Sequence, residues 1–269
     1  MNDIKLILTD LDGTLLTDDK TVSLYTKETI QKAREQGILF GIATGRSLYA
    51  VNNLVDGWGI REQLDIMLGF NGGQIKDDSK GINQIFNPLK GEYILEIIKK
   101  FEDLPCCFCV YDKNTLYSYR DDELSKELSA SNKFIYKVIE DANEFFSRDY
   151  PKLVLRCKKE DMPQIIERSK TFSNPEYHCM QTAPVLFEYM SVNVSKSQGI
   201  QTVCELHGFD MDNVCVFGDA QNDRDMLEKA GLGVCMINGD DETKAISNMI
   251  TKYDNNHDGV AKFIEEYIL

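Results

Sequence analysis

Ile4-Lys5-Leu6-Ile7-Leu8-Thr9-Asp10-Leu11-Asp12-Gly13-Thr14-Leu15 is an apolar run that stops at two carboxylates and a glycine. A short, nearly continuous aliphatic run of this kind reads as a strand buried on both faces, as in a parallel sheet. Ligands of open α/β sheets bind just beyond the carboxyl ends of the strands, so this strand delivers Asp10 and Asp12 to a place where chemistry is done. The Asp-x-Asp spacing recurs at Asp210/Asp212 and Asp223/Asp225, but only Asp10/Asp12 follows an apolar run and is succeeded by a glycine. Gly13 lets the chain turn tightly over a ligand.

The same grammar repeats outward from this stretch. A strand over 4–9, a helix over 23–36, a strand over 38–43, a helix over 47–56 and a strand over 65–69 alternate as a parallel sheet requires. Gly37 stops the first helix, and the second strand runs into the polar Thr44-Gly45-Arg46. After residue 196 the alternation returns, with helices over 197–207, 221–230 and 242–249, strands over 213–217 and 232–236, and a last helix from 259. Residues 86–188 differ in character, with helical segments near 91–102 and 161–171 and short strands at 106–111, 115–119, 152–157 and 185–192. The expected architecture is α/β: a Rossmann-like parallel-sheet core from residues 1–85 and 189–269, interrupted by an inserted α+β cap domain, residues 86–188. Asn87-Pro88 and the segment from Met190 to Asn193 are the expected hinges.

Composition excludes several classes. With 30 Lys+Arg against 44 Asp+Glu the net charge is −14, the opposite of the basic face that nucleic-acid binding needs. No apolar run is long enough to span a membrane and the start lacks a signal peptide's apolar stretch, so the expectation is a soluble cytoplasmic protein. The eight cysteines are scattered, mostly in apolar segments where a free thiol packs as a small hydrophobe. Cys106, Cys107 and Cys109 contain one C-x-x-C, but no second pair or nearby histidine completes a zinc set. The acid excess would repel an anionic ligand, so a phosphate-bearing ligand calls for a bound cation that reverses the local field.

Four polar clusters fall at strand ends or helix starts: Asp10/Asp12, Thr44-Gly45-Arg46, Lys196, and Gly218-Asp219-Ala220-Gln221-Asn222-Asp223. Each alone has a bland reading, such as a solvated lysine at a helix start or a plain Gly-Asp turn. Their union is more specific. A strand-end acid pair with a further acid at Asp219 offers hard oxygen ligands that suit Mg²⁺, while Thr44 and Lys196 offer a hydroxyl and a cation to phosphate oxygens.

These clusters, in this order, resemble the four motifs of the haloacid dehalogenase superfamily. The long gap between the second and third is similar to that of the Cof-type branch, which inserts a large α/β cap there. The likeness extends through Asn71-Gly72-Gly73, Thr182-Ala183-Pro184, Gly231-Leu232-Gly233-Val234 and Asp258-Gly259-Val260, over nearly the whole chain. Gly73 stands where alanine is common, Ala220 and Gln221 fill the variable pair of the fourth motif, and Asn238-Gly239 replaces the commoner Asn-Ala; none of these removes a chemical group the reaction needs.

The resemblance implies a phosphatase acting on sugar phosphates or related small phosphomonoesters. In that reading Asp10 is the nucleophile that forms an aspartyl-phosphate, and Asp12 is first acid, then base. Mg²⁺ is held by Asp10, the Asp12 carbonyl and Asp219. Thr44, Gly45, Arg46, Lys196 and Asn222 surround the phosphate, with Asp223 behind Lys196 or a metal-bound water, and the insert is a lid that sets specificity. A phosphate-ester-binding or phospho-acceptor regulatory protein without efficient turnover uses many of the same groups and is the alternative. Asp12 argues against it, since a signal store does not need a group poised to activate water.

Overall fold

A computed structural model describes residues 3–269. In chain order the first part forms β1 (Leu6–Thr9), α1 (Leu24–Glu35), β2 (Leu39–Ala43), α2 (Leu48–Trp58), β3 (Ile66–Gly69), β4 (Gln74–Asp77) and β5 (Ile82–Ile85). The middle forms α3 (Gly91–Phe101), β6 (Cys106–Asp112), β7 (Thr115–Ser118), α4 (Glu123–Ser131), β8 (Ile135–Val138), α5 (Ala142–Phe145), β9 (Leu153–Cys157), α6 (Met162–Ser169), β10 (Tyr177–Ala183) and β11 (Leu186–Ser191). The last part forms α7 (Lys196–His207), β12 (Val214–Gly218), α8 (Arg224–Lys229), β13 (Leu232–Cys235), α9 (Asp241–Ile246), β14 (Met249–Ile250) and α10 (Gly259–Tyr267). Two compact units result, one from the residues up to Gln84 together with Ser195–Leu269, the other from Ile85–Val194.

The first unit is built on an eight-stranded sheet in the order β14-β13-β12-β1-β2-β3-β4-β5. β1 pairs in parallel on both sides, with Thr9 opposite Ile42 of β2 and opposite Phe217 of β12. Its Leu6, Ile7 and Leu8 have no exposed surface, which is why the opening run shows no alternation. The core beneath the sheet draws Ile7, Phe40, Phe217 and Val234 from strands, Ile30, Val51 and Phe263 from helices. Helix starts follow the chemistry of capping: Ser23, Ser47 and Ser195 accept backbone N–H groups at the starts of α1, α2 and α7.

The Rossmann-like α/β core is as expected, with three differences. β4 runs antiparallel to β3, so one edge of the sheet is mixed. The helix read over 242–249 ends at Ile246, because Ser247 turns extended (ψ 153°) and Met249–Ile250 joins β13 as a parallel edge strand. The helix read over 221–230 opens with a 3₁₀ turn at Gln221–Asp223.

The second unit is a six-stranded sheet in the order β10-β11-β9-β6-β7-β8. Neighbours are antiparallel except β7 and β8. Its core joins Ile94, Ile98 and Phe101 of α3 and Met162 and Ile165 of α6 to Phe108, Leu153, Leu155 and Tyr189 of the sheet. On the opposite side of β6, Cys109 Sγ lies 3.0 Å from Ser125 Oγ of α4. All eight cysteines are free thiols. Among the described residues no helix is long and apolar enough to cross a membrane.

Candidate active site

The strand order β12-β1-β2 places the chain's switch point at β1, since β1 leads to β2 on one side and receives β12 on the other. Asp10 follows the last residue of β1, Thr44 the last of β2 and Asp219 the last of β12, so parallel pairing alone gathers them at one edge. Lys196, the first residue of α7, brings its ammonium to the same place. It donates to Asp10 Oδ1 at 2.6 Å and to Asp223 Oδ1 at 2.5 Å with no exposed surface of its own.

This centre is short of positive charge. Burial, with the neighbouring Asp223 and Asp219 charges, outweighs Lys196 and pushes the Asp10 carboxyl up to about 7. Burial and the charge of Asp223 push Asp219 up to about 6, although Thr14 Oγ1 donates to Asp219 Oδ1 at 2.7 Å. Burial alone would lower the Lys196 ammonium, but the charges and hydrogen bonds of Asp10 and Asp223 win and hold it above the usual lysine range. Asp223 has both oxygens engaged, Oδ1 by Lys196 and Oδ2 by the backbone N–H groups of Asp219 (2.9 Å) and Ala220 (3.0 Å).

Asp12 stands apart from this cluster. Arg46 grips it with two hydrogen bonds, Nε to Oδ2 at 2.8 Å and Nη2 to Oδ1 at 3.0 Å, and Lys20 adds a third at 2.7 Å. Burial favours the protonated form of Asp12, but the hydrogen bonds and charges of Arg46 and Lys20 outweigh it and hold the carboxyl below the usual range. Directly after Asp12, Gly13 adopts φ +86°, and a Cβ there would stand 2.5 Å from Asp219 Oδ2. Only glycine allows this close approach without moving Asp219. Asn238 Nδ2 fixes the same turn by donating to the Gly13 carbonyl at 2.7 Å.

Thr44 is buried, and its Oγ1 accepts the Arg46 N–H at 3.2 Å, closing the chain around Gly45. Asn222 donates through Nδ2 to Asn71 Oδ1 at 3.2 Å, which joins the fourth cluster to the turn after β3. Reading the sequence for chemistry assigned no contact to Thr14, Lys20 or Asn71. Thr14 ends the stretch Asp10-Leu11-Asp12-Gly13-Thr14 that carries the family likeness, whereas Lys20 has no signal beyond closeness to Asp12, because a contact across a turn has no fixed spacing.

Carboxylate oxygens of Asp10, Asp219 and Asp223 lie within 4.8 Å of one another. Three acids sharing one lysine, two of them raised by burial, form a donor set that a hard divalent cation would relieve, and oxygen-only ligands suit Mg²⁺. The residues fit such an ion. Because both oxygens of Asp223 are taken, Asp10 and Asp219 are the side chains with capacity for it.

The model of the haloacid dehalogenase-like hydrolase family matches residues 7–264, and the chain belongs to this family of enzymes. It is 31% identical to a 5-amino-6-(5-phospho-D-ribitylamino)uracil phosphatase of Bacillus subtilis, over 97% of each chain. It is 27% identical to a second Bacillus subtilis protein of the same name, over 99% of this chain and 97% of that one. Among solved structures, a haloacid dehalogenase-like hydrolase from Bacteroides thetaiotaomicron superposes with a TM-score of 0.82 at 25% identity, over 97% of this chain and 98% of the other.

Proposed function

We propose that this enzyme is a Mg²⁺-dependent phosphomonoester hydrolase acting on small sugar or polyol phosphates through an aspartyl-phosphate on Asp10. The observation that carries the reading is Lys196, buried between Asp10 and Asp223 beside Asp219 at the carboxyl ends of β1 and β12. An acid held against a fixed ammonium, with metal-ligating capacity alongside, is what an in-line attack on a phosphate dianion requires.

Lys196 takes Asp10 Oδ1, so attack on phosphorus would come from Oδ2. The bond from phosphorus to the ester oxygen breaks, and the departing alkoxide takes a proton from Asp12. Water then attacks the aspartyl-phosphate, giving its proton to Asp12 and releasing inorganic phosphate, so the same carboxyl serves as acid and then base. In the arrangement described here Asp12 is in its base form, and it must part from Arg46 and Lys20 to carry the proton of the first step. Mg²⁺ held by Asp10, Asp219 and the Asp12 carbonyl would supply the charge that offsets repulsion between carboxylates and phosphate. Thr44, Gly45, Lys196 and Asn222 would hold the remaining phosphate oxygens.

The two Bacillus subtilis relatives act, by name, on a ribityl phosphate, which supports an open-chain or ring sugar phosphate as the leaving-group class. Free thiols throughout support a reducing, cytoplasmic setting. The test is turnover of a panel of sugar, polyol and nucleoside monophosphates by the purified protein, with and without exhaustive chelation. Activity should vanish on chelation and return with Mg²⁺, and labelled phosphate trapped on the protein should map to Asp10. Full activity without metal, or label on a serine or histidine, would overturn the mechanism.

A further inference from the structure

The turn that follows β3 carries three successive residues in the left-handed region, Phe70 (φ 49°), Asn71 (φ 55°) and Gly72 (φ 93°). Glycine adopts this conformation freely and asparagine tolerates it, whereas a bulky phenylalanine there is an outlier that the surroundings must enforce. Such strain is a reason to ask what the turn holds in place.

It reaches three of the four site clusters. The Phe70 N–H donates to the Arg46 carbonyl and the Asn71 N–H to the Thr44 carbonyl, each at 2.9 Å, so the turn fixes the backbone on both sides of Gly45. Asn71 Oδ1 accepts from Asn222 Nδ2 at 3.2 Å, which orients the Asn222 amide. Gly72 lies against the start of α7: a Cβ on it would stand 2.2 Å from the Ser195 carbonyl oxygen, and one on Gly199 would stand 2.8 Å from Gly72 Cα. Ser195 is the N-cap of the helix whose first residue is Lys196. Asn71, 2% exposed, sits at the centre of these contacts.

We infer that Asn71 is a positioning residue for phosphate binding: its left-handed backbone ties the Thr44 loop to the start of α7, and its side-chain oxygen aims the Asn222 amide. One N–H of Asn222 is committed to Asn71, which leaves the amide plane fixed and the second N–H directed by that bond. The inference rests on reading Asn222 as a phosphate ligand. A turn that served the fold alone would need the backbone geometry of Asn71 but not its amide.

Asn71→Gly separates the backbone from the side chain, because glycine keeps the positive φ and removes the carboxamide, and Asn71→Asp, which keeps an acceptor oxygen toward Asn222 and loses the amide donor, isolates the acceptor. With wild type, Asn222→Ala and the double variant, Asn71→Gly completes a cycle, read by kcat/KM on p-nitrophenyl phosphate and by calorimetric binding of inorganic phosphate in Mg²⁺. Asn71→Gly should stay folded with a modestly lowered unfolding midpoint, yet lose roughly 10- to 100-fold in kcat/KM and weaken phosphate binding, as misplaced ligands do, whereas Asn71→Asp should lose much less. The double variant should be no worse than Asn222→Ala alone. Wild-type behaviour of Asn71→Gly in both assays overturns the inference, as does a double variant whose losses multiply. Phosphate binding that follows the cycle in a wild-type protein without turnover would uphold the positioning role and instead bring down the phosphatase reading.

Discussion

Lys196 bridges Asp10 and Asp223 from a position with no exposed surface. Breaking a buried ion pair by removing one partner costs about 3–5 kcal/mol, so the lysine is as much a part of the fold as of the chemistry. Asp12 is the contrasting case, a partly exposed acid held ionised by Arg46 and Lys20. Its proposed duty as general acid makes a prediction specific to one residue. Asp12→Asn should slow phosphoryl transfer from an alkyl phosphate by roughly 10²- to 10⁴-fold. The first-step loss should be much smaller for p-nitrophenyl phosphate, whose leaving group scarcely needs a proton. Rapid-quench measurement of both esters checks this, and equal first-step losses would contradict the role. Phe70, left-handed beside a tolerant Asn71, stores local strain of about 1–3 kcal/mol that no sequence pattern reveals.

Among the elements, α7 is held at both ends. Lys196 is locked at its start, and near its end His207 Nε2 lies 2.6 Å from Asp77 Oδ2, at the last residue of β4. Burial would raise the Asp77 carboxyl, but hydrogen bonds from Ser79 and His207, the His207 charge and the Lys80 N–H outweigh it and hold it below the usual carboxylate range. A folded-state value below the unfolded one stabilises the fold above the unfolded value and stops doing so as pH falls through the folded value. Asp77→Asn should therefore cost about 1–3 kcal/mol at neutral pH. Denaturant titrations should show this gap closing below about pH 4. A gap that stays constant with pH would mean that the loss is packing alone.

The elements also show what was legible. Core strands announced themselves because burial on both faces leaves unbroken apolar runs, and so did the helices that join a cap to an apolar stripe. The edge strands β5, β10 and β14 did not, nor did β4 beside β5, since Ile82-Asn83-Gln84-Ile85 is largely exposed and Gln74-Ile75-Lys76-Asp77 buries only alternate residues, one of them an acid. α4 was missed because two of its three buried residues, Ser125 and Ser129, are serines rather than an apolar stripe. Of the candidate residues, those at strand ends were readable by position, whereas the grip of Arg46 on Asp12 and the bond from Asn222 to Asn71 depend on loops that no periodicity describes.

At the scale of the molecule, the residues proposed for phosphate and metal all lie in the first unit, and none comes from Ile85–Val194. Groups that bind only phosphate and metal are blind to the rest of the ester, so we assign choice of substrate to the inserted unit. Replacing it with the insert of a relative of different preference should reorder kcat/KM across the ester panel while leaving the Mg²⁺ requirement unchanged. An unchanged ranking in a folded chimera would return specificity to loops of the first unit.

The pairing of β1 has a consequence for how this protein is made. Its Thr9 lies beside Ile42 but also beside Phe217, so the strand waits for a partner synthesised much later in the chain. At about 5–20 residues per second that wait is roughly 10–40 s on the ribosome. During it one edge of a fully buried, largely aliphatic strand is open, the condition under which nascent chains pair with the wrong neighbour. Asp10 cannot meet Asp219 before that edge closes, so the proposed nucleophile stays separated from its proposed metal partner until the chain has been made beyond β12.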